Sequence, residues 1–264
     1  MYKVSDITNA IERIAPLYLA ESWDNPGLLI GDREKNVRTV FVCLDVTGEN
    51  VAKAAECGAD LIISHHPVIF TPIKRIVESD VSGSVIISLI KNGISVYSAH
   101  TNLDNADGGM NDILAEKLGL NDVRHFTEDE AKNENGDSLD NIGRIGVLDN
   151  SCELIDFVGF VKSVLGCKSI RYTGFSNDTV STVALCSGSG GSGIYSAYHA
   201  GADVYVTSDI KHDHAQLAFE LGINLIDAGH FETENTICEF FHNYLSERFP
   251  GLTIIESDAE PYFN

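Results

Sequence analysis

The chain repeats itself, and the repeated unit reads strand, helix, strand. Thr39-Val40-Phe41-Val42-Cys43 matches Thr182-Val183-Ala184-Leu185-Cys186. Gly58-Ala59-Asp60-Leu61-Ile62-Ile63-Ser64 matches Gly201-Ala202-Asp203-Val204-Tyr205-Val206-Thr207 at the same offset of 143 residues. Between them Gly48 matches Gly191 and Ala54 matches Ala197, so the match runs without a gap. Such a match points to an internal duplication and constrains the chain to two similar α/β lobes.

In the first copy, hydrophobic periodicity predicts strands over residues 37–45, 59–64 and 94–99 and helices over 48–57 and 82–91. Asn92-Gly93 supplies a C-terminal stop for the second helix. The second copy predicts strands over 181–187, 202–207 and 223–228 and helices over 192–200 and 212–221, with Gly222 after the last. Strands alternating with helices argue for mostly parallel sheets flanked by helices. Residues 127–140 are polar, acidic and without periodicity, which marks an exposed connection. The expected organisation is a first lobe over 1–125, an acidic connecting loop over 126–141 and a second lobe over 142–264, with the C-terminal elements free to pack on the first lobe.

The chain has 264 residues and a net charge of −21, from 18 basic and 39 acidic side chains. That surface repels phosphate backbones and argues against general nucleic-acid binding and anionic membranes. A small phosphorylated substrate stays compatible, since bound dications reverse the field locally. No apolar stretch approaches the ~20 residues that span a bilayer, and residues 1–14 do not read as a signal peptide. The six cysteines include no C-x-x-C pair and sit mostly in apolar runs, so buried reduced thiols are expected. The expected compartment is the cytoplasm.

Three histidine groups follow apolar strands: Ser64-His65-His66-Pro67, His100-Thr101-Asn102-Leu103-Asp104 and His230-Phe231-Glu232-Thr233-Glu234. The carboxyl ends of strands are where open α/β sheets bind ligands. Imidazole plus carboxylate suits Zn, Fe, Mn or Ni. His230 and Glu234 share a face if the chain is helical there. This many ligands favours two metals over one crowded ion, and a metal pair activates water and holds a substrate oxygen. The competing readings are a helix-start ion pair for His230 and Glu234 and a loop cap for Asp104.

In the segment Thr207-Ser208-Asp209-Ile210-Lys211-His212-Asp213-His214, Asp209 takes the repeat position of His66. His212 and His214 are candidate catalytic proton carriers, outer ligands or substrate contacts, or else surface histidines on a helix capped by Asp209. Gly188-Ser189-Gly190-Gly191-Ser192-Gly193 either cradles a phosphate or is simply flexible; it lacks the P-loop lysine. Residues 21–27, which carry the only Trp, read as a lid or as a packed turn.

Taken in order, Glu21-Ser22-Trp23-Asp24-Asn25-Pro26-Gly27-Leu28, Ser64-His65-His66-Pro67, His100-Thr101-Asn102-Leu103-Asp104, Thr207-Ser208-Asp209-Ile210-Lys211-His212 and Asp227-Ala228-Gly229-His230 with Glu234 resemble the GTP cyclohydrolase I type 2 homologue family of NIF-three-like proteins. The resemblance runs over essentially the whole chain. It implies two α/β lobes, a dinuclear metal site between them and a toroidal homohexamer. It places the metal ligands at His65, His66, Asp104, His230 and Glu234, with Glu234 bridging and His100 close by. By name the family implies hydrolytic opening of the GTP imidazole ring. The alternative expectation is a non-catalytic metal-handling or scaffold protein.

Overall fold

The computed structural model describes residues 1–126 and 142–263, so the acidic segment 127–140 lies outside the described residues. The chain forms two compact units: Met1–Ala106 with Asn235–Glu260, and Asp107–Glu234 with Pro261–Asn264. The first unit is thus discontinuous. Its N-terminal stretch reaches Ala106, and the C-terminal segment Asn235–Glu260 completes it.

The first unit opens with β1 (Tyr2–Lys3) and α1 (Val4–Ile14), followed by β2 (Gly27–Ile30) and β3 (Asn36–Val37). The repeat element then runs β4 (Thr39–Cys43), α2 (Gly48–Glu56), β5 (Leu61–Ser64), α3 (Val81–Asn92), β6 (Ser95–Ser98) and the short helix α4 (Thr101–Asn105). In the second unit α5 (Met110–Lys117), β7 (Asn121–His125), β8 (Arg144–Glu153), α6 (Leu154–Leu165) and β9 (Arg171–Thr173) lead into its own copy. That copy is β10 (Thr179–Leu185), α7 (Ile194–His199), β11 (Val204–Thr207), α8 (His212–Leu221), β12 (Asn224–Asp227) and α9 (His230–Glu234). Finally α10 (Thr236–Arg248) and β13 (Thr253–Glu256) rejoin the first unit.

The first unit's five-stranded sheet has the order β13-β4-β5-β6-β2, parallel except for β2 against β6. The second unit's six-stranded sheet has the order β7-β8-β10-β11-β12-β9. Only β10-β11-β12 are mutually parallel there, and β7, β8 and β9 join antiparallel. Both sheets are therefore mixed, with a parallel centre that only crossover helices can connect.

The two centres pair in the same register. Val40 faces Leu61 in the first and Val183 faces Val204 in the second, each pair displaced by the repeat offset of 143. An aspartate fixes the start of each pair. The Asp60 carboxylate accepts from the Arg38 and Thr39 amides at 2.8 and 3.3 Å, and the Asp203 carboxylate accepts from Ser181 and Thr182 at 2.9 and 2.8 Å. Gly93 and Gly222 end α3 and α8 at φ 66° and 76°, a left-handed turn that costs glycine nothing sterically.

Alternation then sorts side chains to the two faces of each sheet. In the first unit Phe41, Cys43, Ile62 and Val96 pack with Val51 and Ala54 of α2 and Val85 and Leu89 of α3. In the second, Val183, Leu185, Val204 and Val206 pack with Phe157 and Val161 of α6, while Ala184 and Tyr205 face Ile194, Ala197 and Ala218 of α7 and α8. With both faces covered, polar side chains collect where the parallel strands end.

Candidate metal centre

In the first unit the chain leaves β5 directly into His65 and His66, and leaves β6 through Ala99 into His100. The His65 ring is fully buried, and its Nδ1 donates to the Ala99 carbonyl at 2.8 Å. His66 Nδ1 donates to Asp45, just beyond β4, at 2.7 Å, and His100 Nδ1 donates to Asp24 at 2.8 Å. A carbonyl or carboxylate can only accept, so the proton sits on Nδ1 and Nε2 becomes the coordinating nitrogen. The candidate ligand atoms of His65, His66 and His100 lie within 4.8 Å of one another, a spacing that could hold a metal ion. Asp104, nearly buried on α4, faces His65 with its Oδ1 3.5 Å from Nε2.

The second unit repeats this arrangement. His230 opens α9, its Nδ1 donates to Asp209 at 2.8 Å, and its Nε2 lies 2.9 Å from the nearly buried Glu234 carboxylate. The i,i+4 spacing read from sequence thus becomes a shared helix face. Asp209 is held at φ 55°, unusual for a residue with a side chain. At the position where the first unit has a candidate ligand, His66, the second has the residue that orients one. Gly188, at φ 60°, lies against the pair, and a Cβ there would come within 2.1 Å of Glu234 Oε1.

His212 and His214 sit elsewhere. His212 is exposed at the start of α8, in a cleft with Arg171, Lys211 and Asp227. His214 lies against Gly191, where a Cβ would come within 2.2 Å of the imidazole. Three amides of the glycine-rich loop are bonded internally. Gly188 N–H donates to Thr233 Oγ1 and Gly190 N–H to Thr207 Oγ1, both at 3.0 Å. Gly193 N–H donates to the Gly190 carbonyl at 2.9 Å, and Tyr205 donates to that carbonyl at 2.8 Å. These bonds hold the loop in place.

The sequence assigns Asp24 and Asp45 no role and Asp209 only a repeat position or a helix cap, yet the three orient three of the four histidines. Their one signal was an acidic side chain just after a strand (Asp45, Asp209) or within a Trp-Asp-Asn turn (Asp24). Burial pushes the Asp24 carboxyl up, but hydrogen bonds from His100 and Thr101 outweigh it and bring its pKa down to about 2. Residues 21–27 form a fastened turn: the Glu21 amide donates to Thr101 Oγ1 at 3.0 Å and Asn25 Nδ2 to the Ile69 carbonyl at 2.6 Å. The six cysteines are free thiols, four of them buried. No helix among the described residues is long and apolar enough to cross a membrane.

Fold and site together define a class: α/β proteins of two units, each setting a buried carboxylate against a histidine that follows a parallel strand. Residues 2–261 match the family described as Duf34/NIF3 (NGG1p interacting factor 3), and the chain belongs to that family. A Clostridium perfringens protein named GTP cyclohydrolase 1 type 2 homolog is 40% identical over 258 residues, covering 98% of this chain and 94% of that protein. Among solved structures, a Bacillus cereus protein related to NIF3 aligns with a TM-score of 0.88 and 28% identity, over 100% of this chain and 99% of its own. Reduced HcgD from Methanocaldococcus jannaschii aligns with a TM-score of 0.80 and 31% identity, over 98% of each chain.

Proposed function

We propose that the protein is a metal-dependent hydrolase acting on a nucleotide such as GTP, with two divalent ions held by His65, His66, Asp104, His230 and Glu234. The observation that carries this is the anchoring of His65, His66, His100 and His230 through Nδ1 to fixed acceptors. An imidazole that merely fills a loop has no need of that tautomer, whereas a ligand does. Two ions held there supply Lewis acidity and lower the pKa of a water for attack. Glu234 would be the carboxylate shared between the ions, and its burial would keep competing water away. Asp45 and Asp209 hold the rings of His66 and His230 in place and raise their basicity. His212, exposed at the start of α8, carries protons to and from bulk water, with His214 as its partner in that role.

Elemental analysis of purified protein tests the site: about two of Zn, Fe, Mn or Ni per chain are expected, falling in His65→Ala and Glu234→Ala. Glu234→Ala that keeps both ions refutes the bridging role. Incubation of loaded protein with GTP should yield ring-opened product that becomes fluorescent as a pterin. Full metal content without turnover of any nucleotide would leave the non-catalytic, metal-handling reading. The same proposal carries a cytoplasmic toroidal homohexamer, which light scattering reads as six times the chain mass of 28.7 kDa.

A further inference from the structure

Trp23 and Phe70 are both largely exposed, at 58% and 48%, and their ring centroids lie 5.9 Å apart at an interplanar angle of 61°. Both rings also meet His100, at 6.3 and 6.2 Å and at steep angles of 75° and 78°. At such angles the three contacts are edge-to-face, so no two of the rings stack in parallel. A single exposed aromatic needs no explanation, but this pair is held in place. Asp24, next to Trp23, accepts from His100 Nδ1 and, at 3.0 Å, from the Thr101 amide. Asn25 donates to the carbonyl of Ile69, the residue before Phe70. The same hydrogen bonds that orient His100 therefore fix two largely exposed aromatic rings beside it.

We propose that Trp23 and Phe70 form a receptor for the flat heterocyclic ring of a nucleoside beside His100. The proposal rests on the nucleotide reading above and names the part of the substrate that is recognised. Stacking on aromatic side chains is tolerant of base identity and strong enough to matter. The competing occupant is a second copy of this chain, because Ile73, Ile76 and Val77 extend the exposed apolar surface. The heterocycle is favoured because the corner is not wholly apolar. A dry interface would bury the imidazoles of His66 and His100 with it, centroids 5.5 Å apart, whereas a base has nitrogen and oxygen atoms to meet them.

Trp23 is the only tryptophan, so it reports directly. Its fluorescence, corrected for ligand absorbance, is titrated with guanosine, GTP and inorganic triphosphate, with and without chelator. Guanosine and GTP should quench saturably and inorganic triphosphate should not. Phe70→Leu should weaken guanosine binding about fivefold or more without moving the thermal midpoint, and Phe70→Tyr should restore it. Absence of quenching by guanosine, equal quenching by triphosphate, or unchanged affinity in Phe70→Leu overturns the proposal. So does emission that shifts with protein concentration alone, which would place a second copy on the pair. The metal reading fails separately: guanosine binding in a protein with no metal content sinks that reading and leaves this one standing.

Discussion

Which nitrogen of an imidazole carries the proton decides whether it can hold a metal, and here the neighbours decide it four times. His66 and His230 depend on carboxylates, Asp45 and Asp209, that would themselves touch no metal. Replacing either carboxylate by alanine should lower metal affinity about 10–100-fold, read by competition with a chromophoric chelator, while thermal melting of the apo-protein stays nearly unchanged. Gly188 makes a second single-residue case. Gly188→Ala pays the left-handed strain of φ 60° and also drives a methyl to 2.1 Å from Glu234 Oε1. Gly201→Ala pays the strain alone, since φ is 86° and nothing lies within 4 Å of its Cβ. Each should lose about 1–2 kcal/mol of stability from the strain, Gly188→Ala more because of the clash, and only Gly188→Ala should also lose metal. Equal metal content in the two variants would show that Glu234 is not a ligand.

At the level of elements, the repeat is a device for starting parallel strands. Asp60 and Asp203 each clamp two amides at the head of a strand pair, in positions related by the repeat offset. Asp60→Ala and Asp203→Ala should each cost about 1–2 kcal/mol by urea unfolding. The cost should be larger at Asp203, because Arg38, one of the two residues that Asp60 clamps, is exposed. The central elements were readable in advance because local rules govern them. Helix α8 begins at His212 and stops at Leu221 before Gly222, as periodicity and the glycine stop predict. The strands outside the repeated unit were not readable. β8 and β9 carry no clean alternation, and β13 finds β4 across more than 200 residues, Thr253 against Thr39. Nothing local specifies such a pairing; it is fixed by the sheet edge that remains once β4, β5 and β6 have assembled. The site divides the same way. Its histidines stand out beside their strands, whereas the Asp24 anchor reaches His100 from 76 residues away.

Across the whole molecule the cysteines show how completely each core excludes water. Cys43 and Cys238 are buried in the first unit, and Cys167 and Cys186 in the second. Burial pushes the Cys238 thiol up to about 12, with Glu256 adding to it, and Cys167 up to about 11, with Glu232 adding to it. Cys43 is raised well above its ordinary value, by burial first and then by Cys238. A thiol reagent near neutral pH should therefore titrate only Cys57 and Cys152 quickly, and all six after denaturation. The same shifts fix a pH dependence. A folded pKa above the unfolded value of 9.0 means that the native state holds its proton more tightly, so the stability it contributes is complete below pH 9 and is lost as pH climbs toward 11 and 12. Urea midpoints should fall steadily over that range, and Cys238→Ala should fall less steeply than wild type, whatever its stability at neutral pH. Every other side chain is common to the two proteins, so the difference in slope reports the loss of the Cys238 thiol. Parallel slopes would mean that Cys238 meets water in the native state and that the core of the first unit is looser than its packing implies.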